Sequence, residues 1–337
     1  MKALNLYGVN DLRYDEVPRP VPQVGEVLLK VRACGICGSD IPRVYEKGTY
    51  HFPTIIGHEF AGEIVEAEDE SLLGRKAAVF PLLPCGQCAA CEEGRYAQCE
   101  SYSYYGSRED GGMAEFLAVK RENLCLLPDN VPLAWGAMSE PAAVALHAFR
   151  KSGAGVGDSL FIYGIGTIGL IIAQWARGAG VRRIVLAGRT AAKLAMAKQM
   201  GFEAVDVGRL ADVPDMDACI EGTGSSAGVE GCLRVARNFA RVVLMGNPEG
   251  ELKLSQKNYW QILRKELQLL GTWNSSYSCY HNDWRDAVWG MQAGTLDLES
   301  LITHRFSLRD YQQAFALMDE KKEPYLKVML TIGDDEE

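Results

Sequence analysis

Short stretches in which apolar and polar residues alternate, broken by Gly, Pro and Asp, fill the first third of the chain. They include VLLKVRAC (Val27–Cys34), FAGEIVEA (Phe60–Ala67), AAVFPL (Ala77–Leu82) and AEFLAV (Ala114–Val119). A period of two belongs to half-buried strands, so Met1 to about Cys125 reads as β-rich. From about Leu133 the period lengthens. WGAMSEPAAVALHAFRKSG, TIGLIIAQWARGAG and AAKLAMAKQMG have helical spacing, and they alternate with the apolar runs SLFIYG, RRIVLAG, ARVVLMG and LQLLGTW. Strands that are apolar throughout and alternate with helices imply a parallel sheet covered on both faces. Beyond Trp273, NDWRDAVWGMQAG and RDYQQAFALMDEK read as helices, and LKVMLTI reads as a last strand that rejoins the first region. No internal repeat or low-complexity linker interrupts the pattern.

The parallel region carries G-x-G-x-x-G at Gly164, Gly166 and Gly169, after the strand SLFIY and at the start of a helix through Thr167 and Ile168. In that position the glycines permit a tight turn, close approach of a pyrophosphate and packing of helix on strand. The helix start offers unpaired N–H groups to phosphate. A nicotinamide dinucleotide is therefore expected. An acidic residue that binds the ribose hydroxyls usually ends the second strand of such a fold, but here Gly188 stands 19 residues beyond Gly169 and Arg189 follows it. Loss of the carboxylate removes a repulsion toward a 2'-phosphate, and the guanidinium supplies a partner, with Lys193 one helical turn on. NADP is thus preferred, with NAD as the alternative.

Cys85, Cys88, Cys91 and Cys99 form a C-x2-C-x2-C-x7-C run whose spacing lets one lobe close a thiolate shell around zinc. Four thiolates leave no position for water or substrate, so such a site is structural. A disulfide cluster is the alternative, but a chain of this length has no need of such staples. Cys37 (GICGSD) and His58 (GHEFAG) lie among glycines that let the backbone bend around an ion; Glu59 follows His58, and Glu140 stands in SEPAAVALHA. One thiolate, one imidazole and one carboxylate would make a second, open zinc site. Each residue alone is more often packed, or for Glu140 a helix cap.

Hydrophobic residues make up 47% of the 337 and charged ones 23%, with a net charge of -9. The acidic balance argues against nucleic acid or an anionic membrane as a partner, since a polyanion needs a concentrated basic face. The only run of like charge, Asp334–Glu337, reads as a solvated end. No apolar stretch is long enough to span a bilayer, and MKALNLYGVNDLRYDE has no secretory pattern. With ten cysteines and no evident pairing, a reducing cytoplasm is expected.

Taken together, GICGSD, GHEFAG, the four-cysteine lobe, SEPAAVALHA and YGIGTIG resemble the zinc-dependent medium-chain dehydrogenase family over essentially the whole chain. PRVYEKGTYHFP, FPLLPCGQC, YYGSREDGGMAEF and ILRKELQLLGTW are most similar to its polyol and polyol-phosphate branch. The resemblance implies an α/β fold, with a Rossmann doubly wound parallel sheet (151–271) and a β-rich GroES-like catalytic domain (1–150 and 272–337) whose zinc lobe covers about 84–100. The active cleft would lie between the domains. It further implies catalytic zinc on Cys37, His58 and Glu140, with Glu59 a transient ligand or a support. Ser39 would contact the substrate hydroxyl and pass on its proton, and Asp40 would orient His58. The substrate would be a secondary alcohol of a polyol or polyol phosphate, galactitol 1-phosphate-like, and the protein a homodimer or homotetramer. Many relatives carry a histidine at the outer end of a proton relay where this chain has Pro42, as the polyol-phosphate branch does.

For a substrate phosphate, Arg43 is the favoured partner and Arg108 the alternative. The loops Glu221–Gly224, Met245–Asn247 and Gly271–Asn274 fall where such a fold meets ribose, nicotinamide and substrate. Cys34, Cys125, Cys219, Cys232 and Cys279 read as packed or surface thiols, and His147 as a core histidine. His51, His281 and His304 have no assignment, and Tyr102, Tyr104 and Tyr105 read as packing, with one of them a candidate to line the cleft. A catalytically silent cofactor-binding regulator, or a zinc-lobe interaction protein, is the alternative from another class. Intact Cys37, Ser39, His58 and Glu140 argue against it.

Overall fold

The computed structural model describes residues 1–333, so the acidic run Asp334–Glu337 lies outside the described residues. The chain divides into two units, Pro141–Ser275 and the segments on either side of it. The first parting falls at Glu140, inside the helix Ser139–Ser152, rather than at 150. Residues past Glu140 already pack in the second unit, where the Trp175 indole N–H donates to the Ala142 carbonyl at 3.2 Å. The second parting falls at Ser275/Ser276 rather than at 271/272.

In the first unit the alternating segments become a seven-stranded sheet. Its long central strand Glu26–Ile36 pairs antiparallel with Glu59–Ala67, with Phe116–Lys120 and, as the sequence pattern predicts, with the C-terminal Lys327–Thr331. That last pairing brings Val328 opposite Ile36, and Glu59 lies opposite Gly35, so the two strands flanking Glu26–Ile36 converge just before Cys37. Leu29, Ile36, Phe60, Ile64, Phe315, Val328 and Leu330 fill the core beneath. A two-stranded ribbon, Leu82–Leu83 with Ser103–Tyr104, brackets the cysteine lobe.

The second unit is a six-stranded parallel sheet. Counted along the chain within this unit, its strands lie in the order third, second, first, fourth, fifth, sixth, the doubly wound arrangement of dinucleotide-binding folds. The first strand, Ser159–Tyr163, is buried along its whole length, as its unbroken apolar run requires. Helices Thr167–Gly178, Ala191–Gln199 and Ser226–Val235 make the crossovers. The strands Glu203–Asp206 and Met216–Glu221 are polar enough that hydrophobic pattern alone passes over them. No helix among the described residues is long and apolar enough to cross a membrane.

Candidate functional site

The lobe closes as its spacing predicts. Cys85, Cys88, Cys91 and Cys99 present their sulfurs within 4.8 Å of one another, and none is in a disulfide. Cys88 Sγ lies 3.5 Å and Cys85 Sγ 3.9 Å from Cys91 Sγ. A tetrahedron with zinc–sulfur bonds of about 2.3 Å has edges of about 3.8 Å, so these separations suit a tetrathiolate shell. The Cys85 backbone N–H donates to Cys99 Sγ at 3.3 Å. Such N–H donors, with that of Gln87 first, lower the Cys85 thiol to about 6, whereas burial pushes Cys91 up to about 12. A bound cation is what would let all four ionise together.

A second group of ligand atoms forms at the convergence of the long strands. Cys37, His58 and Glu59 lie within 4.8 Å of one another, with His58 and Glu59 buried. The Glu59 carboxylate occupies space that only a glycine leaves, since a Cβ on Gly35 would overlap its Oε2 well inside van der Waals contact. Glu140 falls outside this tight cluster. It is nevertheless buried beside it, within hydrogen-bonding reach of the Tyr104 hydroxyl at 3.5 Å, and Tyr104 faces the His58 ring at 5.8 Å. Burial, with Glu59 nearby, raises the Glu140 carboxyl to about 7.

Fully buried Asp40 accepts from the Cys37 N–H and from Arg43, each at 2.9 Å, and lies 3.5 Å from His58 Nδ1. Although burial opposes it, His58 and Arg43 hold Asp40 down to about 2. Burial likewise opposes a charge on His58, but Asp40 and Cys37 raise its pKa well above the ordinary histidine value. The pocket is thus rich in negative groups that favour a cation. With Nδ1 turned to Asp40 and Arg43, Nε2 is the nitrogen left for a metal. Exposed Ser39 accepts from Arg43 through its hydroxyl at 3.3 Å.

Pattern reading passes over Lys327. Buried at 5% exposure, its ammonium lies 2.5 Å from Glu59 and donates to the Ile36 carbonyl at 3.2 Å. The only available signal is a lone lysine inside the apolar LKVMLTI. Cys34 is buried behind this pocket and its thiol is pushed well up by burial, consistent with a packed thiol. The favoured phosphate ligand, Arg43, is paired with Asp40 at 2.9 Å, beside the metal-ligand cluster. Arg108 is elsewhere, its guanidinium 4.2 Å from the centre of the Tyr50 ring and 4.8 Å from that of Tyr102.

In the parallel unit, Gly166 caps the helix Thr167–Gly178, which leaves the first-turn N–H groups of Thr167, Ile168 and Gly169 without helical acceptors. A Cβ on Gly169 would clash with the Gly164 carbonyl oxygen, so this position must be glycine for the helix to sit against the turn. Gly188 ends its strand, and exposed Arg189 makes no side-chain hydrogen bond or ion pair among the described residues. Lys193 lies on the helix Ala191–Gln199 that follows. Glu221 is buried and folds the next loop on itself, accepting from the N–H groups of Thr223 at 2.7 Å and Gly224 at 3.0 Å.

Comparison with known proteins agrees with both units. The profile of the alcohol dehydrogenase GroES-like domain matches residues 23–129, and that of the zinc-binding dehydrogenases matches residues 167–292. Galactitol 1-phosphate 5-dehydrogenase of Escherichia coli K12 is 35% identical over 86% of this chain and 88% of its own. The crystal structure of galactitol-1-phosphate dehydrogenase from Escherichia coli superposes with a TM-score of 0.91 at 33% identity, covering 98% of this chain and all of that one. A zinc-binding dehydrogenase from Sinorhizobium meliloti 1021, solved bound to NADP, is 28% identical with a TM-score of 0.89 over 98% of each chain. The same identity and TM-score hold for an Escherichia coli CFT073 alcohol dehydrogenase complexed with NADH, covering 98% of this chain and 99% of that one.

Proposed function

The chain belongs to the zinc-binding alcohol dehydrogenases with a GroES-like domain, oxidoreductases that act on CH–OH groups, and on that premise we propose that it oxidises a secondary alcohol of a polyol or polyol phosphate. The observation that carries this reading is the cluster of half-buried Cys37 with buried His58 and Glu59, with Glu140 beside it and Asp40 behind His58. Cys37, His58 and Glu140 would hold a catalytic zinc. Glu59, paired with Lys327, would be a support or a transient ligand. The four-cysteine lobe would hold a second, structural zinc. When bound, the catalytic ion stabilises negative charge on the substrate oxygen, and the nicotinamide accepts the hydride. Ser39 takes the hydroxyl proton. Proline at position 42 offers no relay and Arg43 is a donor only, so the proton leaves exposed Ser39 directly to water. A panel of sugar alcohols with and without phosphate, run against both cofactors, tests the assignment. No turnover of any polyol with intact zinc would overturn it.

For the cofactor we propose NADP over NAD, by the 1.5–3 kcal/mol that is roughly the worth of one charge-assisted contact to Arg189. Gly188→Asp with Arg189→Ile is expected to reverse the order of kcat/KM for the two cofactors. A Cβ at 188 meets Cδ1 and Cγ1 of buried Ile165 at 3.0 Å, so Ile165 must give by a few tenths of an ångström to admit the aspartate. Unchanged discrimination in the double variant would show that Arg189 faces solvent. A second copy of the chain is the expected partner, in a homodimer or homotetramer. The edge strand Gln268–Gly271 has one free side among the described residues and exposes Leu269, and the helix Gln256–Arg264 exposes Tyr259, Trp260 and Leu263. Light scattering on the purified chain gives the assembly directly.

A further inference from the structure

We propose that Arg108 is the anion subsite for the substrate's phosphate, bound at the end of the polyol remote from the oxidised carbon; this deepens the polyol-phosphate reading and rests on it. Arg43 and Arg108 are the two guanidinium groups that the sequence offers for this role, and the structure separates them by their partners. Arg43 is paired with fully buried Asp40 at 2.9 Å and touches His58, so its charge is neutralised and its place is at the metal ligands. Arg108 has no carboxylate partner among the described residues. Its one side-chain hydrogen bond goes to the Tyr102 carbonyl at 2.9 Å, through Nη1, which leaves the Nε and Nη2 donors for a ligand.

Two aromatic faces hold the group. Tyr50, which is 72% exposed, and half-buried Tyr102 both flank the guanidinium, which fixes its plane at little entropic cost to a later ligand. The backbone is tied as well. The Tyr50 N–H donates to the Ser107 carbonyl at 3.2 Å, and the His51 ring spans the gap, with Nδ1 3.1 Å from the Pro53 carbonyl and Nε2 3.0 Å from the Arg108 carbonyl. A planar donor pair held in place and lacking an acid partner is the form that suits a phosphate.

The route back to the metal ligands fixes which end of the substrate this site takes. Arg108 stacks on Tyr102, Tyr102 meets Tyr104 edge-on at 6.4 Å, and Tyr104 faces His58 at 5.8 Å. Two tyrosine rings therefore intervene between the anion site and His58. With two rings in that chain of contacts, the end of the polyol remote from the oxidised carbon is the one assigned to Arg108. The tyrosine faces between them suit the C–H surfaces of a polyol, which need a wall more than hydrogen bonds.

The test uses the zinc-loaded enzyme with galactitol 1-phosphate and galactitol as paired substrates. R108A is expected to lower the ratio of the two kcat/KM values by about 10- to 100-fold, the worth of a charge-assisted contact, chiefly through the KM of the phosphorylated substrate. R108K, which keeps the charge without the planar fork, is expected to recover part of that ratio. R43A should lower both substrates alike. A ratio unchanged in R108A, or changed equally in R43A, overturns the assignment. If the unaltered enzyme does not prefer the phosphorylated polyol, the polyol-phosphate reading fails, and titration with inorganic phosphate decides the subsite separately. Binding by the unaltered protein that R108A loses upholds an anion site for a different substrate, and absence of binding rejects it. Thermal unfolding of R108A within a few degrees of the parent shows that the clamp between Tyr50 and Tyr102 is not what was lost.

Discussion

The two groups of metal-ligand side chains are built by opposite means. Cys85, Cys88, Cys91 and Cys99 come from one short stretch, and they need little beyond their own turns to bring four sulfurs together. The pocket around Cys37 gathers the ends of Glu26–Ile36 and Glu59–Ala67, the start of Ser139–Ser152 and the C-terminal strand Lys327–Thr331, and buries nearly everything it uses. The lobe contains ligands and little else. The pocket also contains groups that would not bind a metal, Asp40, Arg43 and Lys327, whose charges adjust its ligands. A site that only holds an ion needs ligands, and one that turns over needs control of their charge.

The comparison breaks most visibly at Cys37. Cys37→Ser is expected to reduce turnover to background while circular dichroism remains that of the parent, whereas Cys99→Ser should lower thermal stability and leave the open site able to bind metal. If Cys99→Ser removed turnover with no loss of stability, the two roles would be exchanged.

Next in size is Lys327→Met. It removes the partner of a buried carboxylate, and loss of one member of such a pair costs about 3–5 kcal/mol. Denaturant unfolding should record that loss, and adding Glu59→Gln should recover much of it. A loss that persists in the double variant would mean that Lys327 acts through packing. Asp40→Asn should follow, with a fall of about 10- to 100-fold in metal affinity or kcat/KM, as expected when a ligating histidine loses its carboxylate. Cys34→Ser should change turnover least, because its thiol is buried and its neutral form is favoured.

Legibility follows the same division. The lobe and the Gly164–Gly169 turn are readable because their geometry is a matter of spacing within one segment. The parallel sheet is readable from its apolar strands, but not where a strand such as Glu203–Asp206 has a polar edge position. Lys327 was not, since its partner is 268 residues away and their meeting depends on how the last strand registers against Glu26–Ile36. The Asp40–Arg43 pair lay within reach of pattern reading. The two are spaced i,i+3 on one turn, and Pro42 between them does not prevent that turn, because a first helical turn needs no N–H from it. Burial of Asp40 is what makes the pair decisive, and burial is a property of the fold.

Stepwise chelation followed by elemental analysis, activity and near-ultraviolet circular dichroism addresses the contrast between the two sites most directly. One equivalent of zinc should leave first under mild chelator and take all turnover with it, while the tertiary signal persists until the second, thiolate-bound equivalent is removed. Loss of both ions together, or full turnover after the first has gone, would contradict the assignment of an open catalytic site at Cys37, His58 and Glu140 and a closed structural one in the lobe.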